Sequence, residues 1–386
     1  MKLLKRTWAD VSLDNLTHNY NVLTAQLPGR CRFLGVVKAD GYGHGAVPVG
    51  RHLEELGAGF LAVSNLEEAV QLRRGDLQIP ILILGYTPPT YAVDMADMDV
   101  RQEVSSLEYA LQLEKRLQGS GSRLKVHLKL DTGMSRLGFF ANAPDTLDQL
   151  LKITELPHLE VEGMFTHFAV ADSIAPQDKA FTRAQFETFR TMTKAMEDAG
   201  RRPEICHCCN SGATILYPEY AMDMVRPGVA TYGIAPAPEL EGRLDLKPVL
   251  SLYSTISQIK EFPAGVGVSY GLTYTTQAPC TIAVVCIGYA DGLSRSLSGR
   301  IRFQLHGQRV PVVGRICMVM CMIDVTNVLE AKVGDVVKIF GGDISVTELS
   351  DPIGSIPYET ICGLNKRIPR LYLDGRKRTD ILQYIV

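Results

Sequence analysis

The chain has 386 residues, 46% of them hydrophobic, with a formal net charge of −2. That length accommodates two domains, or one barrel with an appendage, and the composition is that of an ordinary globular protein. The near-neutral balance leaves no large basic face for nucleic acid or an anionic membrane.

From the N-terminus, Met1 to Leu13 carries basic residues without the apolar run of a signal peptide, and no segment has the length of a membrane span. The chain therefore reads as cytoplasmic, with no membrane partner. Short apolar runs then alternate with helical patterns, which argues for βα units and a parallel sheet. The expected strands are Arg32–Val37, Phe60–Val63, Ile81–Leu84, Asp99–Val104, Leu124–Leu130, Val161–His167, Glu204–Cys208 and Asp223–Arg226. Helical stretches between them include Val47–Leu56, Asn65–Arg73, Ser106–Gln118 and Lys179–Glu197. Eight strands, each followed by a helix, predict a (β/α)8 TIM-type barrel over residues 1–238. After Pro238 the texture changes. Val249–Ile259, Thr281–Ile287, Ile301–Leu305, Arg309–Val313 and Val336–Phe340 are strand-like and separated by turn residues. Residues 239–386 are thus expected to form a mostly β C-terminal domain, with Pro236–Pro248 as linker.

The nine cysteines are odd in number and lack secretory spacing, so they read as free thiols. Cys206-His207-Cys208-Cys209 invites a metal reading. Adjacent residues on a strand point to opposite faces, however, and no second ligand pair completes a tetrahedron. No metal site is expected.

Lys38 ends an apolar strand and is followed by three glycines in Ala39-Asp40-Gly41-Tyr42-Gly43-His44-Gly45. The carboxyl ends of barrel strands build active sites, and a lysine partly removed from water is a usable nucleophile toward an aldehyde. Tyr42, in the loop that follows, can direct its hydroxyl at a phosphate. Phosphate sites in such barrels form after the seventh and eighth strands. There the chain has Asn210-Ser211-Gly212-Ala213, with a hydroxyl at a helix start, and Arg226-Pro227-Gly228-Val229, with a glycine that admits an anion to backbone N–H groups. Each fragment alone reads as a turn, but all three at the ends of strands one, seven and eight are hard to attribute to chance and mark a candidate phosphate site beside Lys38.

With these residues in place, the chain resembles the bacterial alanine racemases, pyridoxal phosphate enzymes of fold type III, from Trp8 to about Tyr372. Further segments carry the likeness: Lys129-Leu-Asp-Thr-Gly-Met-Ser-Arg136-Leu-Gly, Gly163-Met-Phe-Thr-His167-Phe, Gly267-Val-Ser-Tyr270-Gly, Ile287-Gly-Tyr289-Ala-Asp-Gly and Gly314-Arg-Ile-Cys-Met318. The resemblance implies pyridoxal 5'-phosphate bound as a Schiff base on Lys38. It also implies two bases on opposite faces of the cofactor, Lys38 acting on the D-enantiomer and Tyr270 on the L-enantiomer. His167 matches the neighbour that makes the tyrosine a competent base. Arg226 matches the arginine at the pyridine nitrogen, where a permanent cation keeps that nitrogen unprotonated and disfavours transamination. Arg136 matches the arginine near the phenolic oxygen and the substrate carboxylate. Lys129 matches a lysine often carbamylated and paired with that arginine. Asn210, Ser211, Gly228, Val229 and Tyr42 fall at cofactor contacts, and the Met318 backbone N–H at a substrate carboxylate contact. Tyr270 and Met318 are implied to act in the partner subunit's site, which makes the homodimer the working unit. The small amino-acid substrate is expected to be alanine, and D-alanine for peptidoglycan its product.

Two departures bear on the substrate. The family usually continues Cys-Met-Asp-Gln where this chain has Cys317-Met318-Val319-Met320, and some relatives have tyrosine at Lys366. Both changes leave serine as an alternative substrate, as in the related serine racemases. A non-catalytic single-barrel binder of the same cofactor would need neither the β domain nor Tyr270. A barrel decarboxylase would place an acidic group where Arg226 stands.

Overall fold

The computed structural model describes residues 6–375 and 377–384. They divide into a unit made of Thr17–Gly41 and Ala46–Leu246, and a unit made of the described residues up to Leu16, Tyr42–Gly45 and the chain from Lys247 onward.

In chain order β1 (Thr7–Ser12) comes first, then helix α1 (Leu13–Thr24). Eight strands follow: β2 (Arg32–Val36), β3 (Phe60–Val63), β4 (Ile81–Ile83), β5 (Val100–Val104), β6 (Leu124–Asp131), β7 (Leu159–Phe165), β8 (Ile205–His207) and β9 (Met224–Val225). Each pairs in parallel with the next, and β9 pairs with β2, so the sheet closes into a barrel. Strands buried on both faces need apolar residues at successive positions, as Phe60–Val63 and Ile81–Ile83 provide. The crossovers are α2 (Ala46–Glu55), α3 (Leu66–Arg74), α4 (Ala92–Asp97), α5 (Leu107–Leu117), α6 (Thr146–Thr154), α7 (Pro176–Asp198) and α8 (Ser211–Leu216). Asn65 caps α3 and Ser106 caps α5 by accepting the N–H of the third helical residue. Gly35 in β2 lets α2 approach; a Cβ there would lie 2.6 Å from the Leu53 side chain.

The expected barrel is present, with one departure from its repeat. The last strand, β9, is followed by the 3-10 turn Val229–Tyr232 and not by an α-helix. Helix α1 instead precedes the first barrel strand.

Gly267–Val268 pairs with Tyr274–Thr275 in a separate two-stranded sheet, and a second large sheet is mostly antiparallel. Its strands are β1, β10 (Leu250–Phe262), β11 (Cys280–Val285), β12 (Arg302–Leu305), β13 (Gln308–Val313), β14 (Cys321–Asp324), β15 (Val336–Phe340), β16 (Arg370–Asp374) and β17 (Lys377–Leu382). Their order is β11-β14-β13-β12-β15-β10-β1-β16-β17, with β10 also pairing β11 through a bulge at Ile256–Gln258. The long β10 thus serves two neighbourhoods and encloses a core of Phe303, Leu305, Ile323, Val337 and Ile339. One boundary differs from the sequence expectation: β1 is antiparallel to β10 and parallel to β16, so the N-terminal strand lies in the β sheet and not with the barrel. Among the described residues, no helix is long and apolar enough to cross a membrane.

Candidate active site

Lys38 follows β2 and opens a turn of left-handed backbone. Ala39, Asp40, Gly41 and Tyr42 have φ of 52°, 56°, 61° and 52°. Such angles cost roughly 1–2 kcal/mol at each non-glycine residue, so the surroundings must hold them. The Gly41 N–H donates to Val37 O at 2.7 Å, and Ala46 N–H to Asp40 Oδ1 at 3.0 Å. Glu68 on α3 accepts the Ala39 N–H at 2.7 Å with one oxygen, and the N–H and hydroxyl of Ser64 at 2.8 and 2.9 Å with the other. The segment carrying Lys38 is therefore clamped through its backbone, leaving the side chain's direction to the turn. Tyr42 closes the turn within the β unit, where it is buried and its ring lies 6.1 Å from that of Tyr358.

Beyond β8, Asn210 caps α8 by accepting the Ala213 N–H at 3.0 Å and donates to Phe168 O at 3.3 Å. Ser211 comes next. Its Oγ accepts the N–H groups of Gly228 at 2.8 Å and Ala230 at 3.3 Å. Two bonds fill its acceptor capacity, so its own proton is left to donate elsewhere. The first-turn N–H groups of Ser211 and Gly212 have no intrahelical acceptor, by position. Gly212 keeps this corner tight, since a Cβ there would stand 2.8 Å from the Ala171 backbone. A buried hydroxyl donor beside helix-start N–H groups is suited to an anion such as a phosphate. The Tyr232 hydroxyl, one turn past Gly228 and Val229, donates to Val36 O at 2.8 Å and ties this loop to the end of β2.

Arg226 follows β9 and is 4% exposed. Its Nη1 donates to His207 Nδ1 at 2.8 Å; its Nη2 donates to Thr166 O at 2.8 Å, Cys208 O at 3.2 Å and His167 Nδ1 at 3.3 Å. The guanidinium lies 5.3 Å from the centre of the Phe165 ring, whose face also receives the Lys129 ammonium at 4.6 Å. Burial lowers the Arg226 pKa to about 10, which leaves it cationic at neutral pH. Because a guanidinium only donates, His167 must carry its proton on Nε2. Burial first, then the charges of Arg226, Lys129, Arg136 and Lys38, hold His167 well below the ordinary histidine range. It is a neutral imidazole with an Nε2–H to offer. Gln185 fixes its backbone, donating to His167 O at 3.3 Å and accepting the Ala169 N–H at 3.0 Å.

Lys129, near the end of β6, is buried, and burial with the Arg226 charge lowers its pKa to about 7. Glu103 on neighbouring β5 is raised to about 7 by burial, with Lys129 opposing the rise. Arg136 is exposed in the loop after β6; Asp131 organises that loop by accepting the N–H groups of Gly133 and Ser135, each at 2.9 Å.

Tyr270 and Met318 lie in the β unit and are 70% and 57% exposed. Tyr270 sits between Ser269 and Leu272, both with positive φ. The Ser269 hydroxyl donates to Arg315 O at 2.7 Å, while Tyr289 N–H and Ala290 N–H donate to Cys317 O and Met318 O at 3.0 and 2.8 Å. Gly288 is obligatory in this arrangement, because a Cβ would fall 2.2 Å from Cys317 O. Beneath it, buried Asp291 pairs with Arg6 and Arg367 and accepts the Gly288 N–H. Three joined turns thus present Tyr270, Leu272, Tyr289, Met318 and Met320 as exposed side chains. Lys366 places its ammonium 5.2 Å from the centre of the Tyr384 ring.

Residues 11–236 match the family model of the alanine racemase N-terminal domain, and residues 249–372 that of the C-terminal domain. The chain belongs to the alanine racemase family. An alanine racemase of Desulfovibrio desulfuricans is 42% identical over 368 residues, covering 95% of this chain and 98% of its own. The solved alanine racemase of Clostridium difficile 630 superposes with a TM-score of 0.96 at 37% identity, covering 100% of both chains. That of Bacillus anthracis with bound L-Ala-P gives 0.93 at 35% identity, covering 100% and 99%.

Within this family member the barrel unit brings together Lys38, Lys129, Arg136, His167, Ser211, Arg226, Gly228 and Val229. Tyr42, Tyr270 and Met318 belong to the β unit. Asn210 directs its side chain to the helix cap, where it supports Ser211. Sequence reasoning missed the groups that hold these residues: Glu68 behind Lys38, Gln185 behind His167, and buried Arg101, His127 and His207 with half-buried Glu162 behind Arg226. The signal was available, since charged residues recurring at alternate positions of apolar barrel strands must pair inside.

Proposed function

We propose that this protein is a pyridoxal phosphate-dependent alanine racemase that interconverts L- and D-alanine as a cytoplasmic homodimer, supplying D-alanine for peptidoglycan. The observation that carries this reading is Arg226, a buried cation sharing hydrogen bonds with two neutral histidines. When bound, the cofactor supplies the electron sink that acidifies the α-proton of the amino acid. The chain's own residues do the rest. Lys38 would hold the aldehyde end. The Ser211 hydroxyl and the Val229 N–H, joined by the Tyr42 hydroxyl, would hold the phosphate beside Gly228, whose own N–H stays on Ser211 Oγ. Arg226 would meet the pyridine nitrogen and, as a buried cation, would disfavour its protonation, which favours return of the proton to carbon. Arg136 and the Met318 N–H bind the substrate carboxylate.

Lys38 moves the proton on one face and Tyr270, from the partner subunit, on the other. A phenol with a pKa near ~10 needs help to act as a base. The His167 Nε2–H supplies it by donating to the phenol oxygen. The exposure of Tyr270 and Met318 on hydrogen-bonded turns supports a second copy as their cover. Lys129, with its pKa lowered to about 7, has the neutral amine that adds carbon dioxide with loss of a proton. The resulting carbamate would pair with Arg136.

The test is kcat/KM of the purified holoenzyme for L-alanine and L-serine. Faster racemisation of alanine is expected. A preference for serine would reverse the substrate assignment, and no racemisation of either would end the reading.

A further inference from the structure

A continuous hydrogen-bonded chain runs down the inside of the barrel from Arg226. His207 Nε2 lies 2.9 Å from His127 Nδ1, and His127 Nε2 lies 3.1 Å from Glu162 Oε2. Glu162 is held in turn by Arg101, through Nε at 3.0 Å and Nη2 at 3.2 Å. Arg101 continues to Asp99 at 2.7 Å, and Asp99 to Lys125 at 3.3 Å. Both histidines are fully buried, and Arg101 nearly so. Barrel interiors are ordinarily filled by branched apolar side chains, so a polar column here is a departure that needs a cause.

Donor chemistry gives the column one direction. Arg226 can only donate, so His207 Nδ1 accepts and its proton sits on Nε2. That proton points at His127 Nδ1, which must accept, placing the His127 proton on Nε2 toward Glu162. A doubly protonated His127 would present a second N–H to His207, force its Nε2 to accept, and turn an N–H against the guanidinium. The far end must accept on both oxygens, since Glu162 Oε2 takes the His127 Nε2–H and the Arg101 Nε–H while Oε1 takes the Arg101 Nη2–H; a carboxylate does this and an amide cannot. Gly163 makes the stacking feasible: a Cβ there would lie 2.3 Å from His127 Nδ1.

We propose that Glu162 is a positioning residue for Arg226, acting through His127 and His207 to fix both tautomers and thereby the attitude of the guanidinium. The consequence for cofactor chemistry rests on the reading that Arg226 meets the pyridine nitrogen; the tautomers do not.

Neutron diffraction of the purified protein at neutral pH reads the tautomers directly. Deuterium is expected on Nε2 of His127 and of His207, and on Nδ1 of neither. Deuterium on either Nδ1 overturns the proposal. In the holoenzyme, Glu162→Gln is expected to shift the visible absorption maximum of the bound cofactor and to lower kcat about tenfold, the equivalent of one charge-assisted hydrogen bond. The KM for alanine should change less than about twofold, and Glu162→Asp should recover most of the loss. A folded Glu162→Gln enzyme with wild-type spectrum and kcat overturns the proposal, as does a lower kcat with an unshifted spectrum. If that variant fails to fold, the proton positions decide. A wild-type protein that takes up no pyridoxal phosphate refutes the functional reading instead, and leaves the tautomers to stand or fall by diffraction.

Discussion

The Oγ of Ser211 accepts the backbone N–H of Gly228 at 2.8 Å, which locks the loop after β9 to the start of α8. The bond also dictates what the hydroxyl has left to give, a proton directed away from both loops. Ser211→Ala removes that donor and strands the Gly228 and Ala230 N–H groups in a buried place. A hydrogen bond to a charged group contributes about 1.5–3 kcal/mol, so pyridoxal phosphate affinity should fall roughly 10- to 100-fold. Equilibrium titration of the apoprotein measures this, and unchanged affinity would remove Ser211 from the phosphate site.

Lys38→Ala should abolish both racemisation and the visible cofactor absorbance that borohydride reduces. Retained, reducible absorbance would place the covalent attachment on another lysine.

Tyr270→Phe should impair α-deuterium exchange from L-alanine far more than from D-alanine. Exchange measured separately on each enantiomer is the check. Equal losses would contradict a division of labour between two bases.

Lys129 gives a pH signature to stability. Its folded pKa, about 7, lies below the unfolded value of 10.5, so between these limits the unfolded chain binds the additional proton. Its unfavourable contribution is fullest below pH 7 and fades as pH rises toward 10.5. In carbon dioxide-free buffer, where the amine stays unmodified, Lys129→Met should be more stable than wild type near pH 7, with the advantage shrinking at higher pH. Urea unfolding across that range measures it, and a pH-independent difference would contradict the assignment.

Gly163→Ala introduces a Cβ 2.3 Å from the buried His127 ring. Overpacking of this kind costs about 1–3 kcal/mol. A lower urea midpoint with an unchanged slope is expected, and wild-type stability would mean the ring can move aside.

By itself the sequence determined the periodic features. Apolar runs set the eight parallel strands and the later antiparallel ones, because burial on both faces or one is written into neighbouring residues. Chemistry-bearing residues at strand ends were legible for the same reason: Lys38, His167, Ser211 and Arg226 each follow a recognisable run. Tertiary structure alone decided what pairs with what. β1 joins the β sheet because its partners, β10 and β16, lie far along the chain, and no local pattern specifies that register. The left-handed backbone at Ala39 depends on Glu68, a side chain on α3, two helices further along the chain. His127 and His207, 80 residues apart, meet only once the barrel closes. Ser211 shows both halves of the division. Its place at a helix start was readable in order, but the freedom of its proton to meet an anion was set by two backbone groups from the following loop.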